Sequence, residues 1–376
     1  MDLALTEEQE MLKKMARDFL TAECPKSYVR AMEEDPRGYS PELWRKMAEL
    51  GWMGLCFPEK YGGGGGTFMD LAVLLEEMGR ALLPGPFFST VVLAGYTLLE
   101  SGSDEQKQRY LPAIARGELI ATLALTEPSA SYEPSGVALK ATRRGANYVL
   151  DGTKLFVTDA NVAGLVITAA RTGRGKGPAG ITLFAVDAKK PGISVNPLVT
   201  IASDRQCEVA FKGVEVSPQD VIGQEGKAWP VIEKVLQRAA AAKCCEMVGG
   251  AQQVLEMTVD YAKQRIQFGR PIGSFQAVQH HCANMAIDVD GSRFITYQAA
   301  WMLSEGLPAS KEVAMAKAWT GDAYRRVCAL GHQVHGGIGF TKDHDMQLYF
   351  RRAKAGEVLF GDPDFHREKV AQEMGI

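Results

Sequence analysis

Long apolar runs, paired cysteines and an excess of one charge are all missing from this sequence. No run of about 18 apolar residues occurs, so no membrane-spanning helix is expected. The seven cysteines are scattered without a CxxC pair, which favours reduced structural thiols over a metal site or a disulfide framework. A net charge of −3 provides no basic footprint, so we expect no nucleic-acid partner.

Common catalytic motifs are missing as well. The sequence has no HExxH, no GxSxG, no Walker-type lysine loop and no GxGxxG fingerprint. The six histidines do not fall at metal-ligand spacing, so no metal is predicted. Five glycines from Gly62 to Gly66 lack a following Lys-Ser/Thr, which favours a flexible loop between helices over a phosphate cradle. An amphipathic helix stands where a targeting leader would lie, so we expect an unprocessed cytoplasmic protein.

The 376 residues, 46% of them apolar, are enough for two or three domains. Residues 1–118 read as an N-terminal all-α domain, with capping boxes at Thr6 and Ser103 and a helix start at Ser40-Pro41. Residues 119–225 alternate short apolar strands with turns, among them a predicted turn at Asp151-Gly152, and indicate a β-barrel or sandwich.

Helical periodicity returns in residues 226–376. Four long stretches there contain no proline and predict a helical bundle: Val231–Val248, Ala251–Arg265, Phe275–Leu303 and Lys311–Leu330. The predicted fold class is therefore α+β, with an N-terminal helical domain, a middle β domain and a C-terminal four-helix bundle.

Four segments resemble the acyl-CoA dehydrogenases, in that family's order and at its spacings, and the resemblance covers essentially the whole chain. They are Leu123-Ala124-Leu125-Thr126-Glu127-Pro128, Lys154-Leu155-Phe156-Val157-Thr158, Arg265-Ile266-Gln267-Phe268-Gly269-Arg270-Pro271-Ile272 with Phe275-Gln276, and Gln333-Val334-His335-Gly336-Gly337-Ile338-Gly339-Phe340. The resemblance implies an FAD-dependent α,β-dehydrogenation of an acyl-CoA thioester, as in fatty-acid β-oxidation or steroid catabolism. It also implies electron-transfer flavoprotein as the electron acceptor.

The resemblance assigns FAD contacts to two groups of residues. Leu125 and Thr126 match groups at the flavin's pyrimidine edge, Phe156 an aromatic ring over one flavin face, and Thr158 a hydroxyl near the reactive nitrogen. Such fixed donors stabilise charge that develops on the flavin, while the cofactor supplies the redox chemistry. The second group resembles residues that reach the FAD of a neighbouring subunit, which implies a homo- or hetero-tetramer. Its members are Arg265, Phe268, Gln276, Gln333, Gly336 and Gly337.

The family's catalytic base is the main departure. Proton removal next to a thioester carbonyl requires a carboxylate, which in most members is a glutamate before a glycine. Here Phe360-Gly361 stands at that position, and the alternative position on the first long C-terminal helix is Ala239. A second departure is Tyr132, where the family commonly has a serine near phosphate.

Three explanations fit the missing glutamate. In the first, the chain is one subunit of an α2β2 hetero-oligomer whose related partner carries the glutamate. Alternatively, it is self-sufficient with a displaced base, for which Glu246, Glu357 and Asp362 are the candidates. In the third, it is a non-catalytic acyl-CoA- or flavin-binding subunit, or a flavin monooxygenase on the same fold.

Overall fold

The computed structural model describes residues 4–376. Its helices are α1 (Glu7–Glu23), α2 (Lys26–Glu34), α3 (Pro41–Glu49), α4 (Phe68–Ala81), α5 (Tyr96–Ser101), α6 (Asp104–Ala115), α7 (Trp229–Gln264), α8 (Gln276–Ser304), α9 (Ser310–His335), α10 (Met346–Val358) and α11 (Pro363–Glu373). Its strands are β1 (Ala121–Ala124), β2 (Lys140–Arg144), β3 (Asn147–Thr158), β4 (Leu165–Arg171), β5 (Ile181–Asp187), β6 (Ile193–Leu198), β7 (Gln206–Val216), β8 (Val221–Ile222), β9 (Ile266–Gln267) and β10 (Arg270–Pro271). The order all-α, β, all-α confirms the predicted fold class.

The chain forms two compact units. One consists of the residues up to Ala31, Thr67–Leu83 and Ala240–Ile376, and the other of Met32–Gly66 and Pro84–Ala239. We call them the helical unit and the sheet unit. The three-part division at residues 118 and 225 stays a prediction. No helix within residues 4–376 is long and apolar enough to cross a membrane.

The sheet unit contains an eight-stranded sheet in the order β6-β7-β3-β2-β4-β5-β8, with β1 paired in parallel to β4. Its buried faces share one core that includes Leu150, Val166, Phe184 and Phe211. Two strands, β6 and β8, were not expected. Strand β6 holds Pro197 and lies at the sheet edge, where a missing N–H is tolerated but the sequence pattern is weak.

The predicted turn at Asp151-Gly152 is wrong, because β3 runs through it from Asn147 to Thr158. The pairing with β7 shifts between Leu150 and Gly152, so the glycine lies at a β-bulge with a φ of 148°. A Cβ at Gly152 would also approach Leu139 to 2.9 Å. The glycine therefore allows close packing inside a strand rather than a chain reversal.

The five glycines lie in a loop, as expected, but the loop is tightly bonded. The N–H groups of Gly64, Gly65 and Gly66 donate to main-chain carbonyls of Gly54, Phe57 and Leu55. A Cβ at Gly63 would lie 2.1 Å from the Phe57 carbonyl oxygen. Since these donors are used internally, the loop is a packed connection and the expectation of a flexible loop is corrected.

Helix α7 joins two stretches that were predicted separately. It passes through Gly249 and Gly250 without a break. A Cβ at Gly249 would lie 1.8 Å from the Glu76 carbonyl oxygen of α4, and one at Gly250 would lie 2.3 Å from the Tyr324 hydroxyl of α9. These glycines are required by close helix packing, which offsets their weak helix propensity.

Candidate flavin and base sites

In the sheet unit, the Leu125-Thr126 segment leaves β1 and lies beside β3. The Leu125 carbonyl accepts a hydrogen bond from the Lys154 ammonium at 3.0 Å. The Thr126 carbonyl accepts one from the Leu155 N–H at 2.8 Å. The structure therefore brings together the first two of the four sequence segments.

Phe156 lies at a second bulge of β3, where the pairing with β7 shifts between Lys154 and Val157. Its φ of 55° is uncommon for a residue other than glycine, and its side chain is 49% exposed. Two residues on, the Thr158 carbonyl accepts a 2.6 Å bond from the Thr122 hydroxyl of β1. The bulge thus exposes an aromatic ring one residue after the Leu155 N–H that contacts Thr126.

A buried ion pair supports this arrangement. The Lys154 side chain is fully buried, and its ammonium lies 2.6 Å from the Glu127 carboxylate. Burial lowers the pKa of Lys154 to about 8, although Glu127 opposes the shift. Sequence reasoning missed both residues as functional candidates, although they stand inside the first two segments. The signal was a lysine in a strand that otherwise alternates toward the core.

In the helical unit, β9 and β10 form a hairpin with Phe268-Gly269 as its two-residue turn. Both turn residues have positive φ, 54° and 78°, which matches the right-handed twist of a hairpin. The Phe268 ring is 92% exposed and meets the Phe275 ring edge-on at 6.0 Å. Arg265 and Gln276, which flank the hairpin, are exposed as well.

The end of α9 lies next to this hairpin. The His335 ring stacks on Tyr261 of α7 at 4.4 Å, and the Tyr261 carbonyl accepts the Arg265 N–H. Burial lowers the pKa of His335, which favours the neutral ring in this stack. Gln333, two residues before His335 on the same helix, is exposed.

Gly336 and Gly337 present open main chain just beyond α9. Gly336 has φ 65° and ψ −147°, a conformation that glycine adopts readily. A Cβ at either glycine would meet no atom within 4 Å. Main chain that a ligand can approach this closely suits a pyrophosphate.

These residues fit FAD by their chemistry. The sheet unit offers an exposed aromatic ring beside polar main-chain groups, which suits a flavin ring. The helical unit offers the exposed Arg265 and the open glycines, which suit a pyrophosphate.

Phe360 lies in the turn between α10 and α11, with a φ of 59°. Its carbonyl is 2.9 Å from the His366 Nε2. The buried Lys317 ammonium donates to the carbonyls of Glu357 and Gly361 at 3.0 and 2.7 Å. Burial lowers the pKa of Lys317 to about 8 and that of His366 to about 4. The turn is therefore held from inside the protein by two nitrogen groups.

Nearby carboxylates are already engaged. Glu357 is buried and its carboxylate lies 3.0 Å from the Lys354 ammonium. Asp362 caps α11 by accepting the Phe365 N–H at 2.8 Å. Glu246 pairs with Lys243 on the same helix. In the sheet unit, Ala239 of α7 is fully buried and offers no proton acceptor.

Comparison with known proteins agrees with this organisation. Three family models match, described as the acyl-CoA dehydrogenase N-terminal domain over residues 6–118, middle domain over 122–214 and C-terminal domain over 226–375. The probable acyl-CoA dehydrogenase YngJ of Bacillus subtilis is 33% identical, with 100% of each chain covered. The chain belongs to the acyl-CoA dehydrogenase family.

Solved structures extend the comparison. Butyryl-CoA dehydrogenase from Megasphaera elsdenii matches with a TM-score of 0.93 and 28% identity, covering 100% of both chains. A chain of the ChsE4-ChsE5 complex from Mycobacterium tuberculosis matches with a TM-score of 0.91 and 30% identity, covering 100% of this chain and 99% of that one. The protein is an FAD-dependent oxidoreductase of the acyl-CoA dehydrogenase type.

Proposed function

We propose that this chain is the subunit of a hetero-oligomeric acyl-CoA dehydrogenase that binds FAD and leaves the catalytic base to a related partner. The observation that carries the proposal is Phe360, an apolar side chain at the family's usual glutamate position. Ala239 at the second known position is equally unable to accept a proton.

The displaced-base alternative loses support from the contacts of its candidates. Glu357 and Glu246 each have a lysine partner, and Asp362 is occupied as a helix cap. A carboxylate that already pairs with a lysine or caps a helix is less available to accept a substrate proton. Each of the three acids therefore has a structural role that accounts for its presence.

In the proposed reaction FAD, when bound, accepts the hydride that leaves the β carbon of the acyl-CoA. The residues of this chain bind and orient the cofactor. Leu125 and Thr126 would meet the pyrimidine edge, Phe156 would cover one face, and Thr158 would lie near the reactive nitrogen. The proton from the α carbon passes to a carboxylate of the partner subunit.

Several exposed residues suit a cofactor site that is shared between subunits. Arg265, Phe268, Gln276 and Gln333 are all exposed, as residues that serve a neighbouring subunit's FAD would be. The ChsE4-ChsE5 structure is, by its name, a complex of two proteins, and it supports a heteromeric arrangement here. We further propose a tetramer, electron-transfer flavoprotein as the acceptor, and a cytoplasmic location.

The test is anaerobic titration of the purified chain with a panel of acyl-CoA thioesters while the flavin absorption is followed. The chain alone is expected to keep its flavin band, because no base removes the α proton. Bleaching by the wild-type chain alone would contradict the proposal and restore a displaced base.

A substitution at the vacant position sharpens this test. Phe360→Glu is expected to gain substrate-dependent bleaching by a factor of about 10² or more, the usual contribution of a general base. Phe360→Gln is the matched control, since glutamine is similar to glutamate in size and polarity but cannot take the proton. Phe340→Glu adds a carboxylate at an exposed phenylalanine elsewhere in the helical unit and is expected to gain nothing.

A further inference from the structure

A buried lysine lies directly behind the segment assigned to the flavin's pyrimidine edge. Lys154 has no exposed surface, and its ammonium contacts two groups on that segment, the Leu125 carbonyl at 3.0 Å and the Glu127 carboxylate at 2.6 Å. These two acceptors stand on either side of Thr126. The lysine therefore fixes the main chain both before and after the threonine.

Glu127 is held just as firmly. Its two carboxylate oxygens accept the N–H groups of Ala138 and Leu139 at 3.0–3.1 Å. The carboxylate thus ties the Thr126 segment to the start of the strand region at β2. Every partner in this cluster is a main-chain group or the opposite charge, so the pair is fully satisfied in the core.

Stability alone does not account for such a pair. Removing two charges from water costs several kcal/mol per ion, and apolar residues of similar volume often serve stability equally well. What apolar residues cannot do is orient a peptide group. Lys154 holds the Leu125 carbonyl toward the core. Leu125 lies just beyond β1, and among residues 4–376 no strand pairs with it there.

The orientation of one carbonyl sets that of the next N–H. The peptide bonds of the described residues contain no cis bond, and in a trans peptide the C=O and the following N–H point in opposite directions. With the Leu125 C=O directed at the buried ammonium, the Thr126 N–H is directed away from it. Within residues 4–376 this N–H has no hydrogen-bond acceptor, so it can donate to a ligand.

We propose that Lys154, held in place by Glu127, is a positioning residue for FAD that aims the Thr126 N–H at the pyrimidine edge of the flavin. The inference rests on the proposed function, because it takes Thr126 as a flavin contact. It adds a pair of residues that do not touch the cofactor and act only through the Leu125-Thr126 peptide.

The test compares the wild-type apoprotein with Lys154→Met/Glu127→Gln. The double variant carries no unpaired charge, and its glutamine still accepts the N–H groups of Ala138 and Leu139. We expect its FAD dissociation constant, measured by flavin fluorescence, to rise about tenfold, the equivalent of one lost hydrogen bond. The reduction potential of the bound FAD should fall by about 30 mV, because the anionic reduced flavin loses about tenfold more affinity than the oxidised flavin, and tenfold corresponds to about 30 mV for a two-electron couple.

Two further variants separate position from charge. Lys212→Met removes an exposed lysine from the same sheet and should change neither quantity. Glu127→Gln alone removes the carboxylate that holds the ammonium, so its dissociation constant should lie between those of the wild type and the double variant. A tenfold loss in Lys212→Met would overturn the assignment to Lys154.

The remaining outcomes are equally decisive. A folded double variant with wild-type affinity and potential would reduce the pair to a structural role. If the double variant does not fold, Thr126→Pro removes the N–H itself, and an unchanged potential in that variant overturns the inference. A wild-type chain that binds no FAD would refute the proposed function and the inference together, whereas FAD binding without bleaching concerns only the base.

Discussion

Lys317→Met probes the turn that carries Phe360 through the pH dependence of stability. Lys317 is buried in α9, and its ammonium donates to the carbonyls of Glu357 and Gly361. Burial lowers its pKa from 10.5 to about 8, while Cys244 opposes this shift and Lys243 adds to it. Between pH 8 and 10.5 the unfolded chain therefore binds a proton at this lysine that the folded chain has released.

The sign and size follow from proton linkage. Because the unfolded state binds more protons in that window, the contribution of Lys317 to the free energy of unfolding rises with pH. The full rise is on the order of 3 kcal/mol, from 1.36 kcal/mol for each pKa unit. Below pH 8 the buried charge lowers the free energy of unfolding. The wild type is therefore least stable relative to Lys317→Met in that range.

The assay is urea unfolding of the wild type and Lys317→Met at several pH values from 7 to 10.5. The difference between the two proteins removes the contributions of the cysteines and tyrosines that both share. Lys311→Met, an exposed lysine of the same helix, is the matched control and should give a flat difference. A flat or falling difference for Lys317→Met would refute the argument that this lysine loses its proton while buried.

Three other substitutions test the packing and the cofactor contacts. Gly249→Ala should destabilise the protein by about 1–3 kcal/mol in urea unfolding, because its Cβ would lie 1.8 Å from the Glu76 carbonyl oxygen, whereas Gly177→Ala, in open space, should change the midpoint little. Phe156→Ala should weaken FAD binding by about tenfold in a fluorescence titration, since the exposed ring no longer covers the flavin; unchanged binding would remove Phe156 from the site. Arg265→Ala should raise the FAD dissociation constant and make it less dependent on salt concentration than that of the wild type. Equal salt dependence in both proteins would show that the guanidinium does not meet the pyrophosphate.

The helix starts were predictable because their contacts are local. Thr6 and Ser103 each form a capping box with the glutamine three residues later, and Ser40 caps α3 before Pro41. A side chain and a main-chain N–H three residues apart meet whenever the first turn forms. The three-residue spacing alone was therefore enough.

The candidate FAD contacts could be named from sequence, but their arrangement could not. The motif order resembled that of the family, and the structure then paired Leu125-Thr126 with Lys154 and Leu155. It also stacked His335 on Tyr261, one helical turn before Arg265. These roles stay predictions until FAD binding is measured. Phe360 was visible from the sequence as the departure that any function for this chain must explain.

The burial of individual charged side chains could not be predicted from neighbouring residues in the sequence. Lys154 and Lys317 read as ordinary lysines, since nothing within a few residues shows that groups from distant segments hold each ammonium. These are a carbonyl and a carboxylate at Lys154, and two carbonyls at Lys317. Likewise, Asp151-Gly152 has the composition of a turn, yet the pairing of β3 with β7 carries the strand through it. The sequence by itself determined the family, the order of elements and the missing base, because those depend on residue identity and spacing. Only the tertiary structure decided which charges are buried, which glycines serve packing and which acids are engaged, because each depends on atoms from segments far apart in the chain.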